Sequence, residues 1–156
     1  MQTIKINLIS KNFKSKQALK RVNAEFKSNS INGLLGPNGS GKTTLFNIIA
    51  GFLSPDDGKI LLDNKDLTNL SLSKRSELGI SYLPQEASIF RDMTVYDNIY
   101  SIAELFHDKK KSLEISDNLI SQFSLQTFQK TKGKLLSGGE RRRTEIARAL
   151  ASSPKF

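Results

Sequence analysis

Gly36-Pro37-Asn38-Gly39-Ser40-Gly41-Lys42-Thr43 is the stretch that decides how the rest of the chain is read. It fits the phosphate-loop pattern G-x-x-x-x-G-K-[ST] at every fixed position. Ile31, Leu34 and Leu35 before it read as the end of a buried strand. Leu45, Phe46, Ile48, Ile49 and Ala50 after it read as a helix. Glycines at 36, 39 and 41 let the backbone turn at little steric cost and come close to a ligand. The loop N–H groups then converge into an anion nest. A helix beginning near Lys42 adds its unpaired N–H groups and the positive end of its dipole. Lys42 can reach outer phosphates, the Thr43 hydroxyl can hold Mg²⁺, and Thr44 completes the candidate nucleotide site. A chance glycine-rich turn would not also place Lys and Thr correctly between a strand and a helix.

The remaining properties bound the setting. A chain of 156 residues, 37% hydrophobic and 25% charged, is enough for one ordinary globular domain. No apolar run is long enough to cross a bilayer, and residues 1–7 lack the apolar core of a signal peptide. Without cysteine there are no disulfides or thiolate metal sites, and the single histidine, His107, cannot build a metal cluster alone. Cytosolic residence is the expectation. The net charge of +9 would suit nucleic acid or an anionic membrane surface. The charges are scattered, however, with runs only at Lys109-Lys110-Lys111 and Arg141-Arg142-Arg143, so a solvated surface plus phosphate binding is the simpler account.

Along the chain, Ile4, Ile6 and Leu8 alternate with polar residues, as do Val22, Ala24 and Phe26. This predicts two antiparallel strands, at 3–9 and 21–27, with a polar connection over 10–20. Phe13 in that connection is either a small local core contact or an aromatic face for adenine. Asn32 falls inside the strand feeding the loop, where a buried amide needs partners, or at an exposed first turn. A turn at 51–58 precedes a short strand at 59–63, a short helix at 72–78 and a strand at 79–83 ended by Pro84-Gln85. Thr94 with Asp97 predicts a helix start, followed by an apolar stripe at Val95, Ile99, Ile102, Ala103 and Phe106. His107, Asp108 and the lysine run read as a loop, and Ile115, Leu119, Ile120 and Phe123 as a second helix. Residues 124–134 read as a connection. Leu136-Ser137-Gly138-Gly139-Glu140 then opens a last helix, with Ser137 as its cap and a second potential anion site at its N-terminus.

Taken together, these motifs resemble those of the ATP-binding-cassette (ABC) ATPases. Residues 136–140 look like the family's signature motif, Gln85 like its Q-loop glutamine, and Phe13 stands where the family places an adenine-stacking aromatic, usually tyrosine. Residues 82–91 and 136–150 are similar to the lipopolysaccharide-export branch of the family. The resemblance implies an α/β phosphate-loop NTPase with an antiparallel β layer. Its core lobe would comprise 1–85 and 136–156, and a helical lobe would span 86–135. It implies ATP and Mg²⁺ as cofactors, with Thr43 and Gln85 at the metal. It also implies a homodimer in which Ser137, Gly138 and Gly139 of one copy cover ATP on the other. Membrane subunits would meet a groove near Phe90 and Arg91, at the inner face of the inner membrane, with no nucleic-acid partner.

The departures from the family pattern also carry expectations. The apolar strand ending in Asp-Glu, which supplies the general base, and the switch histidine are missing from these residues. The expectation is an N-terminal part of a longer protein, poorly stable and inactive by itself. Other readings are a different transporter cassette, such as a branched-chain amino-acid importer, and a soluble cassette acting on nucleic acid or ribosomes. A small-molecule kinase is opposed by the Ser137-Gly138-Gly139 motif, and a non-catalytic binding module is the last alternative.

Overall fold

The computed structural model describes residues 1–14 and 16–156. They form two compact units: Met1–Ile80 with Lys155–Phe156, and Ser81–Pro154. The first unit contains strands β1 (Thr3–Phe13), β2 (Lys16–Lys27), β3 (Asp57–Leu62) and β4 (Lys65–Asp66), with helices α1 (Lys42–Ala50) and α2 (Leu72–Glu77). The four strands make one antiparallel sheet in the order β2-β1-β3-β4. Its apolar face supplies Ile4, Ile6, Ile9, Leu19, Ile60 and Leu62, which pack with Leu45 and Ile48 of α1 and with Leu67 and Ile80. Each such side chain contributes ~1.5–3 kcal/mol relative to exposure.

Both hairpin strands run further than their alternation predicts, absorbing Phe13 and much of the expected polar connection; Ser15 lies outside the described residues. The reason is bulging. Ile6 pairs with Ala24 and Ile9 with Val22, so two residues on β1 oppose one on β2, and Leu8 takes φ 54°. Arg21 at φ 45° marks the reciprocal irregularity on β2. Each bulge breaks the period of two and twists the strand, but the ladder resumes beyond it.

Two expected strands do not form. Residues 31–35 and 79–83 carry the right apolar runs, yet neither has a ladder among the described residues. A strand exists only through hydrogen bonds to a neighbour. Without one, Ile31 and Leu35 project almost fully into solvent, at 103% and 94% relative exposure. Asn32 is therefore not a strand residue. It is exposed, and its Nδ2 donates to Lys27 O, Ser30 O and Ser30 Oγ in a tight turn.

Arg75 of α2 holds the far end of α1. It is 1% exposed and faces carbonyls only: Nε donates to Leu70 O, Nη1 to Ile48 O and Ile49 O, and Nη2 to Thr68 O. Ile48 and Ile49 lie in the last turn of α1, where carbonyls lack helical donors and a cation complements the dipole. Burial lowers the guanidinium pKa from its ordinary value.

The second unit contains α3 (Val95–Phe106), α4 (Lys109–Gln122), 3₁₀ turns at Gln126–Phe128 and Gly133–Leu135, and α5 (Gly138–Leu150). The Thr94–Asp97 capping box forms as predicted. The lysine run is helix rather than loop: Asp108 caps α4 by accepting from Lys111 N at 2.8 Å, so the lysines occupy the first turn. Val95, Ile99 and Ala103 of α3, Leu119 and Ile120 of α4, and Ala147 and Ala151 share one apolar core with Ile89, Leu125 and Leu136. That packing places α5 with the helical unit, whereas the sequence grouping had 136–156 with the core lobe; only Lys155–Phe156 joins the first unit. The 129–134 segment is fastened along 91–96 by Tyr96 N to Gln129 O, Val95 N to Thr131 O, Gly133 N to Met93 O and Lys134 N to Arg91 O. Gly133 is needed there, because a Cβ would lie 2.9 Å from Phe90 O.

Candidate nucleotide site

The phosphate loop leads directly into α1. Gly41 is the N-cap of the helix at φ 95°, with no side-chain cap bond and no acidic residue in the first turn. The first-turn N–H groups are thus left for an anion, as the helix dipole favours. Gly41 is required twice over. Its φ lies in the left-handed region, and a Cβ would meet Ala18 O at 2.5 Å and Leu19 Cδ2 at 2.8 Å. The loop therefore rests directly on β2. Lys42 Nζ donates to Gly36 O at 2.6 Å and Pro37 O at 2.7 Å, closing the loop into a ring around its ammonium. Ser40 N donates to Pro37 O at 3.3 Å. Thr43 is exposed and Thr44 half-buried, both in the first turn of α1. An exposed hydroxyl oxygen at that position is the kind of hard donor that Mg²⁺ takes.

Phe13 ends β1 in the same unit. Phe13 is 47% exposed and is not part of the unit's apolar core, so it is not the local core contact that one reading allowed. Lys11 Nζ lies 5.9 Å from the ring centroid.

Gln85 and the signature residues belong to the helical unit. Ser137 and Glu140 form a reciprocal capping box: Glu140 Oε2 accepts from Ser137 N at 2.8 Å, and Ser137 Oγ accepts from Glu140 N at 3.4 Å. Gly138 and Gly139 open α5, and a Cβ on either would touch nothing within 4 Å. The chain's own packing does not demand glycine at these positions. Gln85 is exposed in a bend, and α5 holds the residues around it. Arg142 Nη1 donates to Pro84 O at 2.9 Å. Glu145, 3% exposed, accepts from Ser88 N at 2.8 Å and from Arg142 Nη1 at 3.3 Å. Arg148 Nη2 donates to Ser88 Oγ, and its guanidinium carbon lies 4.7 Å from the Phe90 ring centroid. Burial lowers the Arg148 pKa, and Glu145 opposes that shift.

Phe90 is partly exposed and Arg91 exposed. Their backbone is fixed by Asn98, which is wholly buried: Oδ1 accepts from Phe90 N at 2.8 Å, while Nδ2 donates to Phe90 O, Met93 O and Thr94 O. Asn98, Glu145 and Arg142 were not singled out from the sequence. In the sequence, Arg141-Arg142-Arg143 reads as solvated surface charge. The signal for Glu145 in the sequence is its spacing, three residues from Arg142 and three from Arg148 on one face of the helix.

A phosphate loop capping a helix, an antiparallel sheet and a serine-capped diglycine helix together define the nucleotide-binding domain of a cassette ATPase. The chain belongs to the ABC transporter family, whose model matches residues 19–156. It is 47% identical to the lipopolysaccharide export system ATP-binding protein LptB of Haemophilus influenzae over 95% of this chain and 62% of that protein. It is 42% identical to LptB of Escherichia coli K12 over 100% of this chain and 66% of that protein. The chain thus spans a little under two thirds of these curated relatives. Among solved structures, it matches the ATP-binding cassette MJ1267 with TM-score 0.82 and 32% identity, covering 99% of this chain and 67% of that one. It matches the dimeric ABC transporter cassette MJ0796 with TM-score 0.84 and 27% identity, covering 97% and 70%. No helix is long and apolar enough to cross a membrane among the described residues.

Proposed function

We propose that this chain is part of the ATP-binding subunit that drives lipopolysaccharide export. The observation that carries this reading is the 42–47% identity to LptB proteins over nearly the whole chain. The loop N–H groups, the α1 N-terminus and Lys42 bind and orient the triphosphate, and Phe13 takes the adenine. Phosphates compete with Gly36 O and Pro37 O for the Lys42 ammonium. Mg²⁺, when bound, would offset the charge of the phosphates, with the exposed Thr43 hydroxyl as a protein oxygen donor. Two copies pair head to tail, so that Ser137, Gly138 and Gly139 of one cover the nucleotide of the other. Glycines that this chain's own packing leaves unexplained support that role, as does the dimeric cassette among the structural matches. Membrane subunits dock near Phe90 and Arg91, at the inner face of the inner membrane.

The residues named here bind and position. Phosphoryl transfer to water needs such positioning and charge stabilisation, together with a group that orients the attacking water. The residues above account for the binding and positioning parts of that chemistry. The test is phosphate release by the protein purified with its membrane partners and reconstituted in vesicles. Stimulation by lipopolysaccharide is the expected result. Stimulation by an amino acid and not by lipopolysaccharide would reassign the cargo.

A further inference from the structure

β1 outruns β3. The last β1 residue paired with β3 is Ser10, opposite Asp57, whereas β1 continues to Phe13. Over its final three residues, 11–13, the strand has β2 on one side and, among the described residues, no strand on the other. The side chain of Asp56, the residue just before β3, occupies that open side. Its backbone N donates to Ser10 O at 2.9 Å, which extends the ladder by one bond. Its Oδ2 then accepts from Asn12 N at 2.7 Å and from Asn12 Nδ2 at 3.2 Å. Its Oδ1 accepts from Lys11 Nζ at 2.6 Å, and this is the ammonium that lies 5.9 Å from the Phe13 centroid. One carboxylate thus stands in for the missing strand and ties down the two residues before Phe13.

We propose that Asp56 is a positioning residue for nucleobase binding: it fixes the end of β1, and Lys11 with it, so that the Phe13 ring is presented as a base platform. This rests on the reading of Phe13 as the adenine platform. The Lys11 side chain is 15% exposed and that of Asp56 38%, so the ion pair is partly shielded from solvent, and it holds the carboxylate in place. What the carboxylate supplies is order at a strand end, and a stacked ring must be held in place before a base can gain from it. Lys11 lies near the outer range of a cation–π contact, so its part is mainly steric, occupying space over the ring.

The sign of the expected effect separates this role from simple electrostatics. Removing a negative charge in a phosphate-binding unit would tighten binding of every polyphosphate. Loss of platform order instead weakens binding of the base alone. The experiment measures affinity of the protein for ATP and for inorganic tripolyphosphate, using Asp56→Asn, Asp56→Ala, Phe13→Ala and the double variant Phe13→Ala/Asp56→Ala. Circular dichroism and thermal midpoint confirm the fold of each. Asp56→Asn and Asp56→Ala are expected to weaken ATP binding about three- to tenfold and to leave tripolyphosphate affinity unchanged or slightly higher. The double variant should bind ATP no more weakly than Phe13→Ala, because both changes remove one interaction. Unchanged ATP affinity in both Asp56 variants, with Phe13→Ala still weakened, overturns the role of Asp56 and leaves the platform standing. Unchanged ATP affinity in Phe13→Ala removes the platform, and this inference with it. Equal weakening for ATP and tripolyphosphate would assign Asp56 to the general integrity of the unit and overturn the proposal.

Discussion

Asn98→Ala tests how the Phe90–Arg91 segment is held. The wild-type amide serves four backbone groups, and three of them keep another partner when it is removed. Phe90 O still accepts from Met93 N, Met93 O from Gly133 N, and Thr94 O from the amide N of residue 98 itself. The Phe90 N–H donates to Asn98 Oδ1 and would be stranded. A stranded buried donor costs about 1–3 kcal/mol, and the lost Nδ2 bonds add roughly 1–2 kcal/mol in total. The sum, about 2–5 kcal/mol, is a large share of the ~5–15 kcal/mol that stabilises a typical domain. Denaturant unfolding followed in the helical unit should show this loss, and amide exchange at Phe90 should accelerate with it. Asn98→Asp refines the test, because it keeps an acceptor for Phe90 N–H but sets a carboxyl against three carbonyls. That carboxyl has its pKa raised in the folded state, so the variant should be less stable at pH 8 than at pH 5. An Asn98→Ala protein within ~0.5 kcal/mol of wild type, with Phe90 exchange unchanged, would refute the reasoning, since a change that small is what an ordinary surface position gives.

Further outcomes follow from the same structure. Arg75→Met leaves the Ile48 and Ile49 carbonyls at the end of α1 without their donor, and should destabilise the first unit by ~3 kcal/mol in a denaturant titration. Gly133→Ala drives a Cβ to 2.9 Å from Phe90 O and 3.1 Å from Ile89 Cδ1, and should lower the thermal midpoint by several degrees, about 1–3 kcal/mol of overpacking. Hydrogen bonds from Lys11 to Asp56, from the Thr68 hydroxyl to Asp66, and from Lys134 to Asp92 hold these three carboxyls below their ordinary pKa. Their stabilising share is therefore present above the ordinary aspartate value and is lost as pH falls below about 4. Denaturant midpoints should be flat in this respect from pH 7 to 5 and fall only below that window.

Local chemistry was legible in the sequence and neighbour-dependent structure was not. The phosphate loop, the Thr94 capping box and the Ser137 cap are fixed by residues within a few positions of one another, and each stands where its pattern put it. The apolar runs at 31–35 and 79–83 look like strands in isolation, but strand formation depends on a partner that no local pattern reports. The hairpin was read short because its bulges at Leu8 and Arg21 interrupt the alternation on which the reading relied. Asp108 was taken for loop since three successive lysines obscured its role as a cap. Asn98, Glu145 and Asp56 accept from backbone N–H groups eight or more residues away, with Ser88 N and Glu145 Oε1 57 positions apart. Such partnerships exist only once the chain is folded.

The three grips of α5 on residues 84–90 have a consequence for local unfolding. That segment has neither helix nor ladder of its own, and Arg142, Glu145 and Arg148 supply much of its fixation. Its order cannot outlast that of α5. The two should open as one cooperative unit, with the Ser88 amide exchanging at the free energy of the signature helix rather than at the low value expected of an exposed bend. A stretch that resembles a loop in every local respect would then carry the rigidity of a helix.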